Sequence, residues 1–110
     1  MKRYMLCSVV VFFLIGIKFA WAQGDATAGK AVYDKSCATC HAADGAPKEA
    51  IAKMLKVEIP HLGTQEVQAK SDADLKKVIT EGYQKMKPVK GLADKDVANV
   101  IAFMRTLKQS

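Results

Sequence analysis

Five consecutive residues constrain this chain more than any other stretch: Cys37-Ala38-Thr39-Cys40-His41. Two cysteines three apart, with a histidine directly after the second, read as a c-type haem attachment site. The spacing has a mechanical reason. Near the end of a helix both sulfurs face one side, where two haem vinyl groups can take them as thioethers. His41 then falls where its ring can point at the iron. Three rival readings are weaker. A thioredoxin-like redox pair needs a βαβ context, and no stretch of this chain alternates like a strand. A zinc site needs a second ligand pair, and the other histidine, His61, stands alone. A disulfide between Cys37 and Cys40 would close too small a loop to stabilise much.

The chain has 110 residues, so one domain is expected, and its first part lies outside that domain. Lys2 and Arg3 precede an uncharged run from Met5 to Ile17. The run is shorter than the roughly 20 apolar residues a membrane-spanning helix wants. Lys18 interrupts it, and Ala20-Trp21-Ala22 supplies a small-x-small cleavage pattern. Residues 1–22 therefore read as a signal peptide and residues 23–110 as a monohaem domain. The alternative is an uncleaved anchor on the outer face of the inner membrane. Cys7 and Trp21 leave with the leader, and Cys7 opens the apolar run rather than following it, unlike a lipid-anchor cysteine. Cleavage also lowers the formal charge of +6 by three, because Lys2, Arg3 and Lys18 go with it. The remainder is mildly basic, which is not the signature of a nucleic-acid binder. A domain this short builds a small core and wants a staple, a role that a covalently held haem can fill.

Helical signals dominate after Gln23. Asp25 to Thr39 is rich in helix formers, and Gly29 and Tyr33 share one face. A glycine inside a helix costs about 1 kcal/mol, so Gly29 marks a close approach, assigned here to the last helix. A turn follows at Ala42–Ala46. Pro47 opens a short helix over 47–56, with Ile51, Met54 and Leu55 as its apolar face. Residues 57–70 read as loop. Ser71 caps the next helix, whose stripe is Leu75, Val78 and Ile79 and whose end is Gly82. Residues 83–92 form a lysine-rich loop. The last helix spans about Asp94 to Lys108. Its apolar face is Val97, Val100, Ile101, Met104 and Leu107, with Phe103 beside it, and its acids and bases match the helix dipole.

A haem iron has two axial positions, and His41 takes one. For the other, the residues offer Met54, Met86, Met104 and His61. Met54 and Met104 lie at helical spacing, where methionine serves as core. His61 would give bis-histidine ligation or be a loop imidazole near solvent. Met86 stands apart in an irregular segment among Lys85, Lys87 and Pro88, with little core reason to be there.

Taken together, Cys37–His41 and the run from Ser71 through Leu107 resemble the small bacterial class I cytochromes c. The resemblance covers nearly all of residues 23–110. It implies an all-α fold, the small cytochrome c fold, with about four or five helices around one covalent haem c and crossing N- and C-terminal helices. Gly29 and Tyr33 match the glycine and aromatic of the family's first helix. Val100 and Phe103 match its partners on the last helix. Lys85-Met86-Lys87-Pro88 resembles the family's ligand loop, which gives Met86 the axial role. Pro60 resembles the proline whose carbonyl accepts from the ligating histidine, with Pro47 as competitor. Leu62, Leu75 and Ile79 are implied to line the haem pocket. There are two departures. Lys87 is inserted between methionine and proline. Ala93 replaces a Ser or Thr cap, at a cost of about 1 kcal/mol to the last helix.

The resemblance implies a one-electron carrier rather than an enzyme, a monomer exported to the periplasm that shuttles electrons between redox proteins. Imidazole and thioether together would close the iron and raise its reduction potential. Lys35, Lys85, Lys87 and Lys90 are candidates for a positive rim that steers an acidic partner. Three rivals follow from the same residues. One is a small-gas binding module with an open sixth position. Another is a peroxidase, for which no distal His/Arg pair can be placed. The third is a haem subunit docked within a larger oxidoreductase complex.

Overall fold

The computed structural model describes residues 24–110, so the expected signal peptide, with Cys7 and Trp21, lies outside the described residues. Five helices follow in order: α1 Ala26–Ser36, α2 Glu49–Leu55, α3 Gln65–Gln68, α4 Asp72–Glu81 and α5 Asp94–Thr106. Among the described residues there is no strand, only two isolated bridges, His41 with Pro47 and Tyr83 with Met86. This is the all-α fold with crossing terminal helices that the sequence implies.

The frame is the crossing of α1 on α5, with α4 packed on α5 beside it. Gly29 is what permits the crossing. A Cβ at this position would overlap the carbonyl of Asn99 on α5, so any side chain would force the helices apart. Four residues on, the Tyr33 ring meets Phe103 with centroids 5.0 Å apart and planes tilted by 58°, a favourable aromatic geometry. Val97, Val100, Ile101, Phe103 and Met104 of α5 are all buried with Tyr33. Each such side chain contributes about 1.5–3 kcal/mol by leaving water.

The helix ends follow their caps. The Asp25 carboxylate accepts from the backbone of Thr27 and Ala28 at 2.8 and 3.3 Å. The Ser71 hydroxyl accepts from the Asp74 backbone at 3.1 Å. Ala93 caps α5 with no side-chain acceptor. Part of the loss is offset by Asp96, whose carboxylate accepts from the Ala93 N–H at 3.2 Å.

Three expectations need correction. First, α1 stops at Ser36, not Thr39. The backbone of Cys37 and Ala38 both donate to the Tyr33 carbonyl, at 2.8 and 3.1 Å, and this tightens the chain into a turn. Second, α2 begins at Glu49, after Pro47 has paired with His41. Its supposed apolar face is not core: no residue of α2 is buried and Met54 is 68% exposed. The i, i+3, i+4 spacing of Ile51, Met54 and Leu55 is real, but no neighbouring helix covers it. Third, the expected loop at 57–70 contains α3. Val67 is buried there, and the Gln68 amide donates to the carbonyls of Leu62 and Met104 at 2.9 and 3.0 Å. Arg105 of α5 completes the tie, donating to the carbonyls of Gln68 and Lys70 and to the Asp72 carboxylate, each at 2.7 Å.

Candidate haem-attachment site

The attachment residues form one tight turn at the end of α1. Cys37 is its C-cap. The Cys37 carbonyl accepts from the backbone of Cys40 at 3.2 Å and of His41 at 3.0 Å, which folds the five residues back on themselves. The next segment then clamps the turn. The Lys48 N–H donates to the Cys40 carbonyl at 3.1 Å, and the Lys48 ammonium donates to the Ala38 carbonyl. The Tyr33 hydroxyl donates to the Ala42 carbonyl at 2.6 Å. Burial of this phenol, with smaller contributions from Cys37, Asp44 and Asp34, pushes its pKa up to about 12.

Cys37 and Cys40 are free thiols and partly exposed. Burial, assisted by Cys40, raises the Cys37 pKa to about 11. Burial also lowers the pKa of His41 from its ordinary value, so its imidazole is neutral at pH 7. A neutral nitrogen is what a metal requires of histidine. Nδ1 of His41 is buried without a hydrogen-bond partner. Such an orphaned nitrogen costs about 1–3 kcal/mol when left unused. Two unlinked thiols and a neutral, desolvated imidazole within one turn fit haem c as a donor set.

The pocket residues implied by resemblance belong to the central apolar cluster or pack against it. Leu75 and Ile79 are each 4% exposed within the central cluster, and Cys37, Leu62, Val89 and Leu92 pack against that cluster. The Leu62 N–H donates to the Gly45 carbonyl at 2.9 Å, which ties the second segment to the loop after His41. Of the two prolines, Pro47 pairs with His41, while Pro60 is exposed. Nδ1 of His61 accepts from the Gly63 N–H at 2.9 Å, a local bond within its own turn. Met104 is 8% exposed in the core. Met86 is half-buried in the loop after α4. An open hollow of about 510 Å³ lies along α2, lined by Pro47, Ala52, Val57 and Ile59 among others, and none of the cysteines, His41 or Met86 lines it.

Sequence reasoning missed Lys48, Gln68 and Asn99 as residues that hold this arrangement. Asn99 is the buried polar side chain of α5, and its carbonyl oxygen accepts from the Asp25 backbone at 2.8 Å. A polar residue inside the stripe Val97–Val100–Ile101 was a visible sign of that bond.

Comparison with known proteins agrees with this geometry. Residues 24–104 match the family described as cytochrome C oxidase, cbb3-type, subunit III. Cytochrome c-554(547) of Halothiobacillus neapolitanus is 37% identical over 90 residues, covering 77% of this chain and 99% of that protein. Cytochrome c-555 of Chlorobaculum tepidum is 37% identical over 110 residues, covering 94% and 95% respectively. Cytochrome c-555 of Prosthecochloris aestuarii is 38% identical over 88 residues, covering 74% and 87%. No solved structure matches at a significant level. The chain belongs to the cytochrome c family: it is a small c-type cytochrome that carries haem c and transfers electrons rather than catalysing a conversion.

Proposed function

We propose that this cytochrome is an exported one-electron carrier with its iron held between His41 and Met86. On this reading residues 1–22 are removed during export and residues 23–110 work in the periplasm. The observation that carries the proposal is the turn at 37–41, with its free thiols and its desolvated, unpartnered imidazole. Cys37 and Cys40 would hold the group through thioethers. His41 would ligate from the same turn, oriented by a backbone carbonyl. By resemblance Pro60 would supply that acceptor, with Pro47 as the alternative. Haem c supplies the one-electron Fe(II)/Fe(III) couple.

The chain's own residues set how that couple is used. A soft Met86 sulfur as a ligand would favour the reduced state. The apolar wall of Leu62, Leu75 and Ile79 excludes water and acts in the same direction. Lys35, Lys85, Lys87 and Lys90 are all exposed, and none joins an ion pair among the described residues. They would steer an acidic redox partner by raising its on-rate more than its affinity. Electron transfer to such a partner should therefore slow as salt is raised, and a rate independent of ionic strength would remove the steering.

Met86→Ala is the test of ligation. The oxidised variant is expected to lose the weak long-wavelength band of the methionine–iron bond, and the reduced variant to bind carbon monoxide. Retention of the band with no carbon monoxide binding would assign the sixth position to another residue.

A further inference from the structure

The loop that carries Met86 leaves α4 through a residue whose geometry is unusual. Gly82 has φ 82° and ψ 170°. That combination is essentially open only to glycine, since a Cβ there strikes the backbone. A second constraint is independent of the first. A Cβ at position 82 would lie 2.6 Å from the Met86 carbonyl oxygen, 2.9 Å from Cδ of Pro88 and 3.0 Å from the Pro88 nitrogen. The backbone on both sides of Lys87 therefore rests on the end of α4, in space that only glycine leaves empty.

The rest of the loop is tied to the same point. Tyr83 and Met86 exchange both backbone bonds, Tyr83 N–H to Met86 O at 3.0 Å and Met86 N–H to Tyr83 O at 2.9 Å. The turn between them places Gln84 at φ 52°. Beyond Pro88, the Val89 N–H donates to the carbonyl of buried Ile79 at 2.8 Å. The loop from Tyr83 to Val89 is thus tied to itself and to the end of α4 by backbone bonds. Lys87, the residue inserted between methionine and proline, is accommodated by seating Pro88 over Gly82.

We propose that Gly82 is a positioning residue for Met86, its missing side chain letting the 86–88 backbone seat on α4 and so fixing where the thioether can reach. The proposal rests on Met86 as sixth ligand. Gly91 provides an internal control. It also has positive φ, 80°, but a Cβ there would meet nothing within 4 Å. The two glycines share a positive φ, whereas seating of the ligand loop singles out Gly82.

The experiment uses purified holoprotein in four forms: wild type, Gly82→Ala, Gly91→Ala and Met86→Ala. Each is reduced and titrated with carbon monoxide, and each oxidised form is scanned for the methionine–iron band. Gly82→Ala is expected to raise the fraction that binds carbon monoxide roughly tenfold or more, the change produced by about 1.4 kcal/mol, and to weaken the band. Gly91→Ala is expected to stay closed. A closed Gly82→Ala beside an open Met86→Ala overturns the positioning role and leaves the ligand assignment standing. A closed Met86→Ala overturns both. Equal opening in Gly82→Ala and Gly91→Ala overturns the role as well, by showing general loop strain. Where Gly82→Ala yields no folded holoprotein, Pro88→Gly decides: it removes the ring seated on Gly82 without adding an atom, and should also open the iron. A closed iron in Pro88→Gly would then overturn the role.

Discussion

The frame of this cytochrome and its haem cradle are built by different means. The frame, α1 crossed on α5, is held by buried side chains: Tyr33, Val97, Val100, Ile101 and Phe103. The proposed cradle, residues 37–48 with 60–63 and 82–89, is held mostly by backbone hydrogen bonds between partly exposed segments. Side-chain packing tolerates few added atoms. Backbone ties set position without burying much surface, so the cradle depends on the group it holds for the rest of its stability. Substitutions in the frame should therefore move stability and leave the iron alone. Substitutions in the cradle should move the iron's chemistry first.

The sharpest test of that division is Gly29→Ala. The added methyl group overlaps the Asn99 carbonyl, and forcing the helices apart is expected to cost about 3 kcal/mol. In a domain of this size that lowers Tm by about 15 °C. Thermal unfolding of the holoprotein measures it. The methionine–iron band should be unchanged at low temperature, and loss of the band would break the separation between frame and cradle.

Tyr33→Phe probes a side chain that joins both regions, because its ring packs on Phe103 and its hydroxyl holds the Ala42 carbonyl. Losing that bond is expected to cost about 1–2 kcal/mol. It should also change the pH profile. The phenol titrates near 10 when unfolded and at about 12 when folded. Between those values the folded state holds a proton that the unfolded state has released, so stability falls as pH rises through this window. Wild type should lose stability more steeply than Tyr33→Phe above pH 10, as read by denaturant midpoints. Parallel profiles would mean that the hydroxyl is not buried in this bond.

The smallest effect is Ala93→Ser, which supplies the missing cap of α5. A gain of about 0.5–1 kcal/mol is expected, because the new hydroxyl can accept from the N–H of the first turn while the Asp96 carboxylate keeps its bond to the residue 93 N–H. Chemical denaturation is the measurement, and a stability unchanged or lowered would show that the cap site is already satisfied.

The two regions were also legible to different degrees. The frame could be read from periodicity, because Val97, Val100, Ile101 and Met104 recur at helical spacing and Gly29 interrupts a good helix where a neighbour must come close. The attachment turn could be read from spacing chemistry alone. The connecting segments could not. The stripe of Ile51, Met54 and Leu55 promises burial, but periodicity says nothing about whether a partner exists, and α2 has none. α3 is four residues long, below the length at which a pattern repeats. Its stability comes from Val67, Gln68 and Arg105, contacts far apart in sequence. Pro60 and Pro47 both satisfied the resemblance; the backbone of Pro47 bridges that of His41, while Nδ1 of His41 has no partner. Gly82 reads in sequence as an ordinary helix stop, since nothing in the letters reveals that Met86 and Pro88 fold back onto it.

Carbon monoxide titration of the reduced wild-type holoprotein tests the central claim, an iron closed on both faces by His41 and Met86, most directly. An iron so closed gives an absorption spectrum that does not change as the gas is added. A prompt shift with saturation at one carbon monoxide per haem would contradict it and make the sixth position open.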